Sequence, residues 1–157
     1  MLLTSSSPAE TTRFAQALAG LLQGGDCLLL AGDLGAGKTW FASGLLAALG
    51  VREQVHSPTF NLVNVYTTVA GLSVYHADFY RLESLEELLA IGWEDYLDGQ
   101  GLLLVEWGDR FPEALPEDYL QISLTTLGER AREIAVEASG RRSGQLEKGW
   151  ANALVSR

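Results

Sequence analysis

The stretch Gly32-Asp-Leu-Gly-Ala-Gly-Lys38-Thr39 has the residue types and spacing to hold a phosphate chain. Two glycines enclose four residues and are followed by Lys and Thr, a loop that turns its backbone N–H groups toward phosphate oxygens. Lys38 would reach the outer phosphates, and Thr39 would offer its hydroxyl to a bound magnesium ion. The chain has only two lysines, Lys38 and Lys148, and one stands where phosphate chemistry needs it.

A phosphate loop of this kind works with a carboxylate near the metal, usually at the end of a buried apolar strand. Leu102-Leu-Leu-Val105-Glu106 fits that description. Glu106 is placed to hold the metal, directly or through water, or to orient an attacking water. The alternative is an ordinary carboxylate at a strand end. His76-Ala-Asp78-Phe-Tyr80-Arg81 puts His76, Asp78 and Tyr80 on one strand face. Asp78 is a second carboxylate for the metal's water shell or the nucleophile; a local His–Asp hydrogen-bond pair is the plainer reading. With two histidines in the chain, a His-rich zinc site is excluded. Ser57-Pro58-Thr59 has the composition of a segment that senses a γ-phosphate, though spacing alone reads it as a turn stiffened by Pro58.

These side chains need elements to position them. Ser7-Pro8-Ala9-Glu10 reads as a capped helix start, followed by Phe14, Leu18, Leu21 and Leu22 at helical spacing. Cys27–Ala31 is a short, continuously apolar run, the signature of a strand buried on both faces. Phe41, Leu45 and Leu49 recur every four residues until Gly50. The order is therefore strand, loop, helix, with the helix N-terminus favouring an anion. Residues 60–67 and 72–80 read as a hairpin turning near Ala70-Gly71. Ser84-Leu-Glu-Glu87 starts another helix, 102–105 is a second buried strand, 118–124 and 131–138 pair around Gly128, and 143–155 ends the chain as a helix.

At 157 residues the chain reads as one domain, 1–157, with 143–157 as a terminal helix or tail. No apolar run reaches the roughly 18 residues of a membrane span, and no signal-peptide layout opens the chain, so a cytoplasmic protein is expected. Cys27 is the only cysteine, which excludes an intrachain disulfide. The net charge is −9, and Glu83, Glu86, Glu87, Glu94, Asp95 and Asp98 follow one another with no basic residue among them. Such a surface repels polyanions.

Taken in order, the loop at 32–39, Ser-Pro-Thr-Phe at 57–60, His-Ala-Asp-Phe-Tyr-Arg at 76–81 and Val-Glu-Trp at 105–107 resemble one family, the bacterial tRNA threonylcarbamoyladenosine biosynthesis ATPases called TsaE. The resemblance runs from about Ser7 to Gly140. It implies a small ATPase that uses ATP and Mg2+ and assists modification of the adenosine following the anticodon. It would act with the threonylcarbamoyl-transferase protein and that protein's paralogous partner, tRNA being met only through the complex. By this likeness Thr39 and Glu106 match the metal positions, and Gly35, Ala36, Gly37, Lys38, Thr39 and Trp40 the phosphate positions. Ser57 to Thr59 match the switch segment, with Thr59 among the catalytic residues beside Lys38, Glu106 and Asp78. Asp78 and Trp107 match positions tied to turnover, and Thr11 with Arg130 or Arg132 borders the nucleotide. Trp40 stands where the family commonly has a second Thr, and Gly108 where it usually has Pro.

The fold expected is α/β: a P-loop nucleotide hydrolase with a mainly parallel central sheet, an antiparallel extension and flanking helices. A small-molecule kinase is the main rival, since it uses the same loop. Such kinases usually carry an arginine-bearing lid, and residues 83–98 contain no Arg. A GTP-dependent switch lacks its Asn-Lys-x-Asp motif here, and a partner subunit with incidental hydrolysis is a third rival. The acidic surface yields one direct expectation. The isolated chain binds tRNA weakly at moderate salt, and a submicromolar affinity in a filter-binding titration would contradict it.

Overall fold

Apolar runs without alternation become the middle of the sheet, and alternating runs become its edges. The computed structural model describes residues 1–55, Pro58 and residues 61–156. The elements are β1 (Leu2–Ser5), α1 (Pro8–Ala19), β2 (Cys27–Ala31), α2 (Lys38–Ala48), β3 (Val63–Thr67), β4 (Ser73–Asp78), α3 (Leu85–Ala90), β5 (Leu102–Glu106), β6 (Leu120–Thr126), β7 (Arg132–Ala138) and α4 (Arg141–Val155). Short 3-10 turns lie at Trp93–Tyr96, Gly108–Arg110 and Pro112–Ala114. The seven strands are ordered β1-β7-β6-β2-β5-β4-β3. β6, β2, β5 and β4 run parallel, while β7, β1 and β3 add antiparallel pairings at the two edges. This is the expected parallel sheet with an antiparallel extension, continued at both sides. β1 carries no sequence signal because four residues are too few to show a period.

The pleat divides the sheet into two cores. Leu28, Leu30, Leu102, Leu104, Leu120 and Ile122 face α1, α2 and α4. Cys27, Leu29, Leu103, Val105 and Ala77 face the other way, against Leu88 of α3 and Trp93. A strand apolar at every position is needed because both faces are covered. Trp150 of α4 meets Phe41 of α2 at 6.1 Å between ring centroids, and its Nε1 donates to Phe14 O of α1 at 2.9 Å. One side chain thus ties three helices. Burial, with Asp118 and Asp26 nearby, pushes the Cys27 thiol up to about 12, so it stays protonated and serves as core.

Both serine caps form. Ser7 Oγ accepts from Glu10 N and Ser84 Oγ from Glu87 N. The reciprocal carboxylate bonds go one residue further back than a capping box, to Ser6 N and Glu83 N. α4 starts at Gly140-Arg141, where no side chain of the preceding residue can cap. Asp118 does it from a distance, accepting from Arg142 N at 2.8 Å and Ser143 N at 3.0 Å. Arg142 in turn grips the buried Asp26 carboxylate at 2.8 and 3.0 Å.

Partial burial works against the Asp118 carboxylate, but the bonds from Ser143 and Arg142 outweigh it and hold its pKa below the ordinary aspartate value. A depressed folded pKa stabilises the fold above the unfolded value of about 3.9, and the contribution is lost as pH falls through the folded value. Asp118→Ala should therefore cost about 1 kcal/mol at pH 7, the usual size for a lost cap. Urea unfolding midpoints of the two proteins should converge as acidification protonates the folded-state carboxyl as well.

Candidate functional site

The loop between β2 and α2 is built where one strand ends and a helix begins. Gly32 opens it with φ at 143°, and a Cβ there would lie 2.5 Å from Leu124 O of β6. Only glycine lets the loop leave β2 this close to its neighbour. Gly37 closes the loop with φ at 105° and precedes the first turn of α2. That turn contains no acidic residue and its N-cap, Gly37, offers no side chain, so nothing within it neutralises the positive helix end. Arg132 of β7 braces the loop from the side: its Nε donates to Ala36 O at 2.9 Å and its Nη1 to Gly128 O at 2.9 Å.

Lys38 is buried to 6% exposure. Its Nζ donates to Gly32 O at 2.5 Å and Asp33 O at 3.0 Å. The same ammonium stands 4.6 Å from the centroid of the Trp107 ring, a cation–π distance. Lys38 is thus held by the loop's own carbonyls on one side and by β5's following residue on the other.

The carboxylates arrive through strand register. Leu30 of β2 is level with Glu106 of β5, and Glu106 is level with Asp78 of β4. Three parallel strands therefore end side by side, and the loop and both carboxylates meet at their carboxyl ends, where open α/β sheets take ligands. Glu106 and Asp78 are 3% and 4% exposed. Asp78 Oδ1 accepts from Tyr80 N at 2.8 Å. β4 ends at Asp78, so only His76 and Asp78 share the strand face; Tyr80 lies beyond it, half exposed, with its ring 4.9 Å from Trp107. Trp107 adopts φ 59°, a left-handed turn that ends β5 next to the loop. His76 bonds Glu106, not Asp78: Nε2 and Oε2 are 2.7 Å apart and fully buried. That link was hidden in the sequence because it depends on the β4–β5 register.

Two of the cavities that border the loop take in the expected site residues. The larger, about 430 Å3, is lined by Lys38, Thr39, Asp78, Glu106, Trp107 and neighbours including Arg81. The smaller, about 240 Å3 and mostly apolar, is lined by Thr11, Ala36, Arg130, Arg132 and Leu124. Gly37 and Trp40 belong to both, and Gly35 lies on the larger. Trp40 is 54% exposed and anchored by Nε1 to Pro8 O at 3.1 Å. Thr11 is buried with its hydroxyl donating to Ser5 Oγ at 2.6 Å; Arg130 is exposed at the rim. Of the expected residues, Thr59, with Ser57 and Phe60 of the same motif, lies outside the described ones.

The donors in the larger cavity are the Thr39 hydroxyl and the carboxylates of Glu106 and Asp78. This all-oxygen set fits Mg2+, which takes one or two carboxylates and completes its shell with water and phosphate. No group of three or more His, Cys, Asp or Glu able to hold a metal occurs among the described residues.

Comparisons with known proteins point to one family. The profile of the family described as "Threonylcarbamoyl adenosine biosynthesis protein TsaE" matches residues 5–134. The tRNA threonylcarbamoyladenosine biosynthesis protein TsaE of Treponema pallidum (strain Nichols) is 42% identical over 136 residues, covering 87% of this chain and 99% of that protein. Its namesake in Bacillus subtilis (strain 168) is 43% identical over 140 residues, covering 89% and 87%. The crystal structure of Bacillus subtilis YdiB superposes with a TM-score of 0.80 at 36% identity, covering 97% of this chain and 94% of that one.

The loop geometry makes one prediction independent of any ligand. Gly32→Ala meets both the positive φ and the Leu124 carbonyl, and should destabilise the protein by roughly 1–3 kcal/mol. A thermal unfolding midpoint equal to the parent's would show that the loop does not need this path.

Proposed function

Because the chain belongs to the threonylcarbamoyl adenosine biosynthesis protein TsaE family, we propose that it is a Mg2+-dependent ATPase assisting tRNA threonylcarbamoyladenosine formation. It acts on the threonylcarbamoyl-transferase protein and that protein's paralogous partner. The observation that carries this reading is the single cavity shared by Lys38, Thr39, Glu106 and Asp78.

The roles follow from chemistry. Loop amides and the α2 N-terminus receive the phosphate chain. Lys38 exchanges its bonds to Gly32 O and Asp33 O for phosphate oxygens and stabilises charge that develops on them. The chemistry that Mg2+ would supply when bound is neutralisation of phosphate charge. Thr39 and Glu106 would hold it, while Asp78, tied to the Tyr80 amide, orients a water. The smaller apolar cavity beyond Gly37 and Trp40 takes the base side of the nucleotide, with Thr11 and Arg130 at its wall. The missing guanine motif favours ATP.

A kinase is the less favoured reading on a structural ground. Residues 83–98 form α3 and a 3-10 turn whose Leu88 and Trp93 are fully buried under the sheet. They are part of the core, not a lid over the cavity. The acidic outer side of this segment suits contact with a basic protein surface, which leaves tRNA to the partners.

The reading is tested by ATP hydrolysis with and without the transferase protein and its partner. Turnover should be slow alone and faster in the complex. Glu106→Ala should retain nucleotide binding and lose about 10²-fold or more in turnover, the scale of a single electrostatic or positioning group. Unchanged turnover of Glu106→Ala in the assembled complex would remove Glu106 from the chemistry.

A further inference from the structure

We propose that His76 is the positioning residue for Glu106: it ties Oε2 and so leaves Oε1 directed to the cavity, setting the affinity for the divalent cation of the nucleotide complex. The inference rests on the reading of Glu106 given above. His76 is 0% exposed on β4. It is level with Leu104 of β5 and Asn64 of β3, and Val74, Leu102 and Leu104 of the same core are aliphatic. A Val or Leu would fill such a place without desolvating a polar ring. The imidazole instead makes one hydrogen bond, to Glu106 Oε2 at 2.7 Å. Its Nδ1 has no hydrogen-bond partner among the described residues.

A carboxylate only accepts, so Nε2 is the donor in this bond. Tyr66 of β3, 5% exposed, lies against the ring at 6.5 Å between centroids, which limits how the imidazole can turn. Glu106 has three side-chain torsions, and among the described residues its carboxylate has no hydrogen bond other than the one to His76. Groups that orient a metal-ligating side chain typically matter 10–100-fold in metal affinity.

The test uses the full chain with ADP and Mn2+, an oxygen-seeking cation visible by electron paramagnetic resonance. ADP affinity in EDTA and Mn2+ affinity of the ADP complex are measured for the parent, His76→Gln, His76→Asn and His76→Leu. Gln carries its amide nitrogen about as far from the backbone as Nε2; Asn stops short, near Nδ1. Asn and Leu should weaken Mn2+ binding about tenfold or more while metal-free ADP affinity stays within about twofold, and Gln should stay within about threefold of the parent. Equal Mn2+ affinity in the parent and Asn, or equal loss in Gln and Asn, overturns the proposal. So does a matching loss of metal-free ADP affinity, which marks general damage. If Leu does not fold, the Gln–Asn comparison decides. A parent ADP complex that binds no Mn2+ overturns the Glu106 reading itself and this proposal with it, whereas a parent that binds Mn2+ with an indifferent Asn variant overturns only the role of His76.

Discussion

The register of three parallel strands is the constraint on which the rest of the structure depends. β2 delivers the loop, β5 delivers Glu106 and β4 delivers Asp78, and the three ends are level because Leu30, Glu106 and Asp78 are cross-strand partners. A slip of one residue in either pairing would turn Glu106 or Asp78 to the opposite face. The register is itself held by burial: Leu28 and Leu30 must face the helices, and Cys27 and Leu29 the α3 side. Packing and chemistry are therefore one specification, since the alternation that fills two cores also aims two carboxylates at the loop.

Around that frame the site is held from several directions. Arg132 comes from the antiparallel β6–β7 hairpin and grips Ala36 O, so a strand far away in sequence braces the loop. Trp107 places its ring beside the Lys38 ammonium and stacks against Tyr80, while Arg110 donates to Tyr80 O. The two departures from family pattern fall in different surroundings. Trp40 is an exposed wall between two cavities, where a larger side chain adds contact area rather than strain. Gly108 is buried, and a Cβ there would stand 3.2 Å from both Leu29 and Val105, a tight fit beneath the left-handed turn at Trp107.

Much of this was legible from residue order. The loop, its flanking strand and helix, the second buried strand ending at Glu106, the hairpins and the serine caps all rest on local signals: apolar runs, turn residues, cap residues. What escaped was non-local. β1 is too short to show a period, and its place beside β7 comes from pairing alone. The cap on α4 is supplied by Asp118, more than twenty residues away in sequence. His76 paired with Glu106 rather than with Asp78 because residues two apart on a strand lie along it, whereas neighbouring strands bring side chains together across it. Thr11 and Arg130 do line one cavity, yet Arg132, which shares that wall, is the arginine bonded to the loop.

The central claim is that the level strand ends assemble one phosphate-and-metal site around Lys38. Calorimetric titration of ATP into the chain alone, with Mg2+ and in EDTA, against Lys38→Ala tests it most directly. The account predicts saturable one-to-one binding that is tighter with Mg2+ and is weakened about tenfold or more by the substitution, the loss of a charge-assisted contact of roughly 1.5–3 kcal/mol. Absence of saturable binding, or an affinity that ignores both Mg2+ and Lys38, would contradict it.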